Sequence, residues 1–153
     1  MIHPWEKFNN TDTKHYPDYN YLINTATYGS EVFFPTELLH GLDAGGLGAG
    51  LDAYWNGMMK MPHSAGGFLW VFADEGIVRR DKNDSIDTHK NNAPDGILGP
   101  HREKEGSFYA IKEIWSPVSI DQQYIPKEFD GKLSVENRYL FTNLSQCFFA
   151  WKL

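Results

Sequence analysis

A single cysteine, Cys147, occurs in the 153 residues. It cannot close an internal disulfide, and no CxxC or Cys/His zinc spacing is present, so a disulfide-held or zinc-held scaffold is excluded. One thiol leaves the redox compartment open. Basic runs are also lacking. The chain has 14 Lys+Arg against 20 Asp+Glu, a formal net charge of -6, which removes the electrostatic footprint a nucleic-acid partner requires. No window approaches the roughly 18 consecutive apolar residues of a membrane span. The opening "MIHPWEKF" has no basic stretch followed by an apolar core and does not read as a signal peptide. The six histidines show no HExxH spacing, and no internal repeat is visible. A soluble chain is predicted, with no membrane or nucleic-acid partner and with its compartment undetermined.

What is present is an aromatic-rich but otherwise ordinary globular composition. Hydrophobic residues make up 41% and charged residues 22%, with 5 Trp, 8 Tyr and 10 Phe. The length suffices for one real core. Aromatics fill cores and also stack on the apolar faces of sugars. Core is the default for Trp5 and Trp55.

Residues 1–31 read as short strands or loops: "HPW" and "DYNYLINT" lie between turn formers. "EVFFPTE" is a short continuous apolar run, the pattern of a strand buried on both faces. "AGLDAYWNGMMKM" places Leu51, Tyr54, Trp55, Met58 and Met59 at the spacing of an amphipathic helix, stopped by Pro62. "GGFLWVFADEG" is a second buried-strand candidate. Strand, helix and strand in that order predict a βαβ unit. The polar stretch 79–96, "RRDKNDSIDTHKNNAPDG", reads as a long surface loop. "SFYAIKEIW" predicts a helix with Phe108, Ile111, Lys112 and Trp115 on one face, ended by Pro117. Beyond it, "KLSVENRYLFTNLSQCFFAWKL" alternates, with "DG" at 130–131 as a turn, and predicts antiparallel strands. A lone hairpin exposes an apolar face, so the chain reads as cut rather than finished.

The glycine-rich segment after Glu37 is not a phosphate loop. Leu51 and Asp52 follow Gly50 where a Walker loop needs Lys and Ser or Thr. Leu51 also stands where the third glycine of a dinucleotide fingerprint belongs. Its glycines instead suit tight turning and close backbone approach. Glu37 is left at the point where an apolar strand meets its loop, the rim on which βα architectures carry reactive groups.

"PTELLHG", "GAGLDAYWN", "SAGGFLWVFADEGI" and "APDGILGPHREKEGSFYAIKEIWSPV", in that order, resemble the C-terminal part of the catalytic barrel of family 2 glycoside hydrolases, the beta-galactosidase family. "LSVENRYLFTNLSQCFFAWKL" resembles the start of the sandwich domain that follows the barrel. The resemblance covers nearly the whole chain. It implies an α/β fold with residues 1–117 as the later part of a (β/α)8 TIM barrel and 118–153 as the first strands of an antiparallel beta-sandwich. It implies Glu37 as catalytic nucleophile, His40 as a contact to substrate hydroxyls, Trp70 as a sugar platform and Asp95 as part of the sugar subsite. A carbohydrate substrate is the implied partner. No organic cofactor is implied; some members hold a cation near the subsite. The full enzyme would be cytoplasmic or periplasmic, and oligomeric assembly is compatible with the family. A tyrosine near the nucleophile corresponds to Tyr16 or Tyr19, with the choice open.

Three departures bear on sugar specificity. Leu38 replaces an aromatic residue after the glutamate, "LDAGGLG" replaces a Met-Gly-Asn-Ser stretch, and "WVFADE" lacks the first aspartate of the family's "WDWVDQ". Retaining glycosidases need two carboxyl groups about 5 Å apart. The family's acid/base glutamate follows an asparagine on an earlier strand, and no "NE" dipeptide occurs here. The expectation is a fragment of a retaining beta-glycosidase that is inactive or nearly so alone. The alternative is a non-catalytic carbohydrate-binding or interaction module. Asp74 and Glu75, adjacent on a strand, are expected to face opposite ways and not to act together.

Overall fold

A computed structural model describes residues 3, 5–40, 47–88 and 93–152, with side chains described from residue 50 onward in the second helix. The chain is mixed α/β and divides into two units, 1–114 and 115–153. Among the described residues there is neither a closed barrel nor a sandwich, and no helix is long and apolar enough to cross a membrane.

The first unit is built on chain segments laid side by side in parallel. Strand β1 (Thr11–Asp12) pairs with β2 (Val32–Phe33), and β3 (Leu38–His40) pairs with β4 (Leu69–Trp70). Backbone hydrogen bonds extend both pairings. Phe34 N donates to Asp12 O at 2.8 Å and Tyr16 N to Glu37 O at 2.9 Å, while Phe33 N reaches His63 O at 3.0 Å. Beyond β4 the chain continues alongside a fourth segment. Val71 N donates to Asp95 O at 3.2 Å, Ile97 N to Val71 O at 2.8 Å and Asp74 N to Leu98 O at 2.8 Å. Segments 10–16, 32–40, 63–74 and 95–98 thus follow one another in chain order, the arrangement a parallel sheet with crossover helices requires.

Helix α1 (Tyr19–Tyr28) makes the first crossover, where the sequence predicted strands or loops. The reason is local. Asp18 caps the helix by accepting from Tyr21 N at 2.7 Å, and Pro17 precedes it. Leu22 and Thr25, three apart, turn inward. Helix α2 (Leu47–Met59) makes the second crossover and follows the predicted stripe in part. Leu51, Tyr54 and Met58 are buried, Trp55 is half-buried and Met59 is exposed. A Cβ on Gly57 would come within 3.0 Å of Leu22 Cδ2, so this glycine lets α1 and α2 approach closely. Tyr54 ties the helix to the β1–α1 turn by donating to Pro17 O at 2.7 Å.

Residues 79–96 are not simply a loop. Strand β5 (Ile77–Arg79) pairs antiparallel with β6 (Ser85–Asp87) around a single 3-10 turn, Arg80–Lys82. Asn83 and Asp84 take left-handed backbone there, which their short polar side chains tolerate. Arg79 bridges Asp81 and Asp87 at 2.7 and 2.8 Å. Helix α3 (Gly106–Ile114) forms as predicted but is rotated. It buries Ser107 and Ile111, Phe108 is half-buried and Lys112 lies in solvent. Trp5, expected in the core, is 59% exposed.

The second unit holds one antiparallel pair, β7 (Val118–Ser119) with β8 (Glu136–Asn137), and a 3-10 turn at Leu144–Gln146. "CFFAWKL", expected as a strand, forms none among its described residues, and Phe148 and Trp151 stand in solvent.

Beneath β1 the Asp12 carboxylate is almost fully buried, receiving the Tyr21 hydroxyl at 3.0 and 3.1 Å, with Lys7 Nζ at 3.9 Å. Burial first, then the hydrogen bond to Asp12, pushes Tyr21 up to about 12. The raised value means the folded state keeps a proton that the unfolded state loses. This contribution is complete below pH 10, the ordinary phenol value, and is lost as pH rises towards about 12. Tyr21→Phe is expected to cost about 1.5–3 kcal/mol at neutral pH by leaving a buried carboxylate short of a donor. Denaturant unfolding would show it, and part of the wild-type fall in stability above pH 10 should disappear in the variant.

Candidate active site

The parallel register decides which side chains meet. Tyr16 at the end of the first segment hydrogen-bonds through its backbone to Glu37 in the second, just before β3. His40 pairs with Trp70 in the β3–β4 register, and Val71 pairs with Asp95. Four successive segments therefore deliver Tyr16, Glu37 with His40, Trp70 and Asp95 to one level of the sheet.

Glu37 is not a solvated strand-end carboxylate. Its side chain is 27% exposed, and His15 Nε2 lies 3.6 Å from its Oε2. The Tyr16 hydroxyl meets His40 Nε2 at 2.8 Å. Burial of the Tyr16 ring, then its hydrogen bond to Glu37 and that carboxylate's charge, then the charge of Asp95, hold this phenol well above its ordinary range. Tyr16 accordingly stays neutral, its hydroxyl on His40 Nε2 and close to the Glu37 charge. Of the two tyrosines left open by the sequence, the structure selects Tyr16. Tyr19 lies on α1, 46% exposed, and packs on Tyr54 at 5.8 Å between centroids.

Backbone strain gathers at the same point. Tyr16 and Leu39 take φ of +47° and +54°. Each is a bulky residue in the left-handed region and costs on the order of 1 kcal/mol or more, which the surrounding structure must hold in place. The two flank Glu37. In extended backbone His15 and Tyr16 would point to opposite faces. The left-handed turn at Tyr16 is what allows both to reach one carboxylate.

Asp95 is 7% exposed, and its Oδ1 has no hydrogen-bond partner among the described residues. A buried acceptor left unpaired is costly. Its placement rests on Gly96. Gly96 N donates to Asp74 Oδ1 at 2.8 Å, and a Cβ there would fall 2.2 Å from Asp74 N. Asp74 is thereby a buried structural acceptor, whereas Glu75 is exposed. No cluster of three His, Cys, Asp or Glu that could hold a metal occurs among the described residues. Asp95 offers one oxygen to a cation, with no further His, Cys, Asp or Glu ligand cluster around it among the described residues.

The structure thus joins Glu37 and His40 through Tyr16 and places Asp95 within electrostatic reach of that hydroxyl. Trp70 is tied to the group by backbone register alone. His15 was missed in the sequence. The available signal was its position directly before Tyr16.

Three curated proteins show similarity, each named beta-galactosidase. That of Vibrio cholerae is 26% identical over 102 residues, 60% of this chain and 9% of the relative. Those of Oenococcus oeni and Alteromonas mediterranea are each 25% identical over 114 residues, 67% of this chain and 11% of the relative. The match thus spans only about a tenth of the length of these relatives. No family model matches the chain. The relationship shown is beta-galactosidase-like, at low identity and over part of the chain.

Two outcomes follow from this geometry. In Glu37→Gln the Tyr16 phenol should titrate at lower pH than in the wild type, because a hydrogen-bonded anion has been removed; carbon NMR of labelled tyrosine rings would read this. Gly96→Ala should destabilise by roughly 1–3 kcal/mol through overpacking against the 73–74 backbone, and thermal unfolding would measure it.

Proposed function

We propose that this chain carries the nucleophile side of a retaining beta-glycosidase acting on terminal beta-galactosides, on a parallel scaffold that forms the later part of a (β/α)8 barrel of the family 2 type. The observation that carries the reading is the environment of Glu37. Glu37 has His15 at 3.6 Å and a protonated Tyr16 beside it, Tyr16 in turn meets His40, and a second, buried carboxylate, Asp95, has an oxygen without a partner among the described residues. The beta-galactosidase relatives and the ordered motifs support the choice of sugar class.

In this reading Glu37 attacks the anomeric carbon and forms a glycosyl ester as the leaving oxygen departs. The Tyr16 proton steadies the carboxylate before attack and follows the charge as it changes. His40 and Asp95 hold sugar hydroxyls, and a hydroxyl donor would satisfy Asp95 Oδ1. Trp70 supplies an apolar face for the ring. Protonation of the leaving oxygen is the task of a second carboxyl that this chain does not offer as an Asn-Glu pair, so ordinary galactosides should turn over negligibly on this chain alone.

A leaving group that needs no proton separates the nucleophile from the missing acid. The probe is a beta-galactoside fluorinated beside the anomeric carbon and carrying a dinitrophenolate. It should add one sugar to the peptide containing Glu37, detected by intact mass and peptide mapping, and Glu37→Gln should abolish the adduct. Labelling of a different carboxylate would sink the assignment of Glu37 as nucleophile, and galactose binding with no adduct would favour a binding module.

A further inference from the structure

His15 is held from several sides. Its ring lies 4.2 Å from Trp5, tilted by 58°, and meets Tyr16 edge-on at 4.7 Å. Nδ1 lies 3.2 Å from Thr36 Oγ1, and that hydroxyl donates to Thr13 O at 3.4 Å. With the Thr36 hydroxyl given to Thr13 O, Oγ1 accepts from Nδ1–H, so the opposite nitrogen, Nε2, 3.6 Å from Glu37 Oε2, engages the carboxylate as a donor when the ring is in its imidazolium form. The ring cannot rotate without giving up the Thr36 contact and both aromatic neighbours. His15 is only 17% exposed at its side chain, so water does not supply an equivalent partner freely.

Glu37 is thus bracketed by consecutive residues of one segment. Tyr16 addresses it from one side and His15 from another, an arrangement the left-handed backbone at Tyr16 makes possible. A carboxylate has two oxygens and rotates about its last bond. One oxygen must be free to attack, and the other has to be held.

We propose that His15, anchored by Thr36, is a positioning residue that fixes the Glu37 carboxylate in its attacking orientation by engaging Oε2. This rests on the reading of Glu37 as nucleophile. At 3.6 Å the contact is a charge-and-dipole approach rather than a formed hydrogen bond, and it shortens when the carboxylate is drawn into attack. His15 does not touch the sugar in this scheme. Its effect falls on the rate of ester formation and leaves binding by His40, Trp70 and Asp95 intact.

The test uses the full chain and the fluorinated dinitrophenyl galactoside. In His15→Ala the first-order rate of Glu37 labelling should fall by about 10–100-fold, since small misplacements of reacting groups cost that much. The inhibitor concentration giving half-maximal rate should stay within about twofold, because binding groups are untouched. Added imidazole should restore part of the rate by filling the vacated space, a rescue that a purely structural defect would not show. Thr36→Val should lower the rate in the same direction but less, which covers the case of a misfolded alanine variant. Nitrogen NMR of the histidine rings adds a readout independent of labelling: Glu37→Gln should displace the His15 Nε2 resonance and leave exposed His101 in place. Full labelling rates in both variants, or a loss carried wholly by weaker binding, would overturn the positioning role while leaving the nucleophile assignment standing. Wild-type labelling elsewhere than Glu37 would overturn the nucleophile assignment, even with the resonance displaced.

Discussion

The hydrogen bond from Tyr16 N to Glu37 O, at 2.9 Å, is the constraint on which the candidate site depends. It is the last rung of the parallel pairing that begins with β1 and β2. Without it, neither the Tyr16 hydroxyl nor the His15 ring would be brought to Glu37. A slip of the register by one residue would turn the side chains of that segment to the other face. The apolar residues beneath resist such a slip, with Phe33, Leu22 and Leu51 at 0–1% exposure. Burying each is worth about 1.5–3 kcal/mol relative to leaving it exposed, enough to hold a register that short strands alone would not.

Two kinds of cost are concentrated at the end of this pairing. One is the left-handed backbone of Tyr16 and Leu39; the other, on the fourth segment, is the buried Asp95 oxygen that has no partner among the described residues. Both oppose folding and persist because packing below them outweighs the loss. Such costs gather where a protein acts on something else. Asp74 shows the contrast. Equally buried, it receives Gly96 N and is satisfied, and it therefore serves as scaffold.

The legible parts of the sequence were those governed by local pattern. The stripe Leu51–Tyr54–Met58 marked α2, and Pro62 and Pro117 lie just beyond the helices they were read as ending. Glu37 stood out as a charge ending an apolar run. Helix α1 was misread because its aromatic residues favour strands, while the signal that prevailed was the Asp18 cap with Leu22 and Thr25 inward. The hairpin β5–β6 was read as loop because its residues are polar; three ladder pairs and the Arg79 bridges hold it without apolar burial. Trp5 was assigned to the core by composition. It instead lays one face on His15 and leaves much of its surface in solvent.

By itself the sequence determined where the second and third helices run and that Glu37 closes an apolar run. These follow from residue type and short-range periodicity, which act over one or two turns of helix or a few residues of strand. Only the tertiary structure decided that Tyr16 rather than Tyr19 lies at Glu37, that His15 joins it, and that the Asp95 charge acts on Tyr16 from 79 residues further along the chain. Those meetings are set by interstrand register and by helices packing across the sheet. Register is a long-range balance of burial and backbone hydrogen bonding, which no local window of sequence contains.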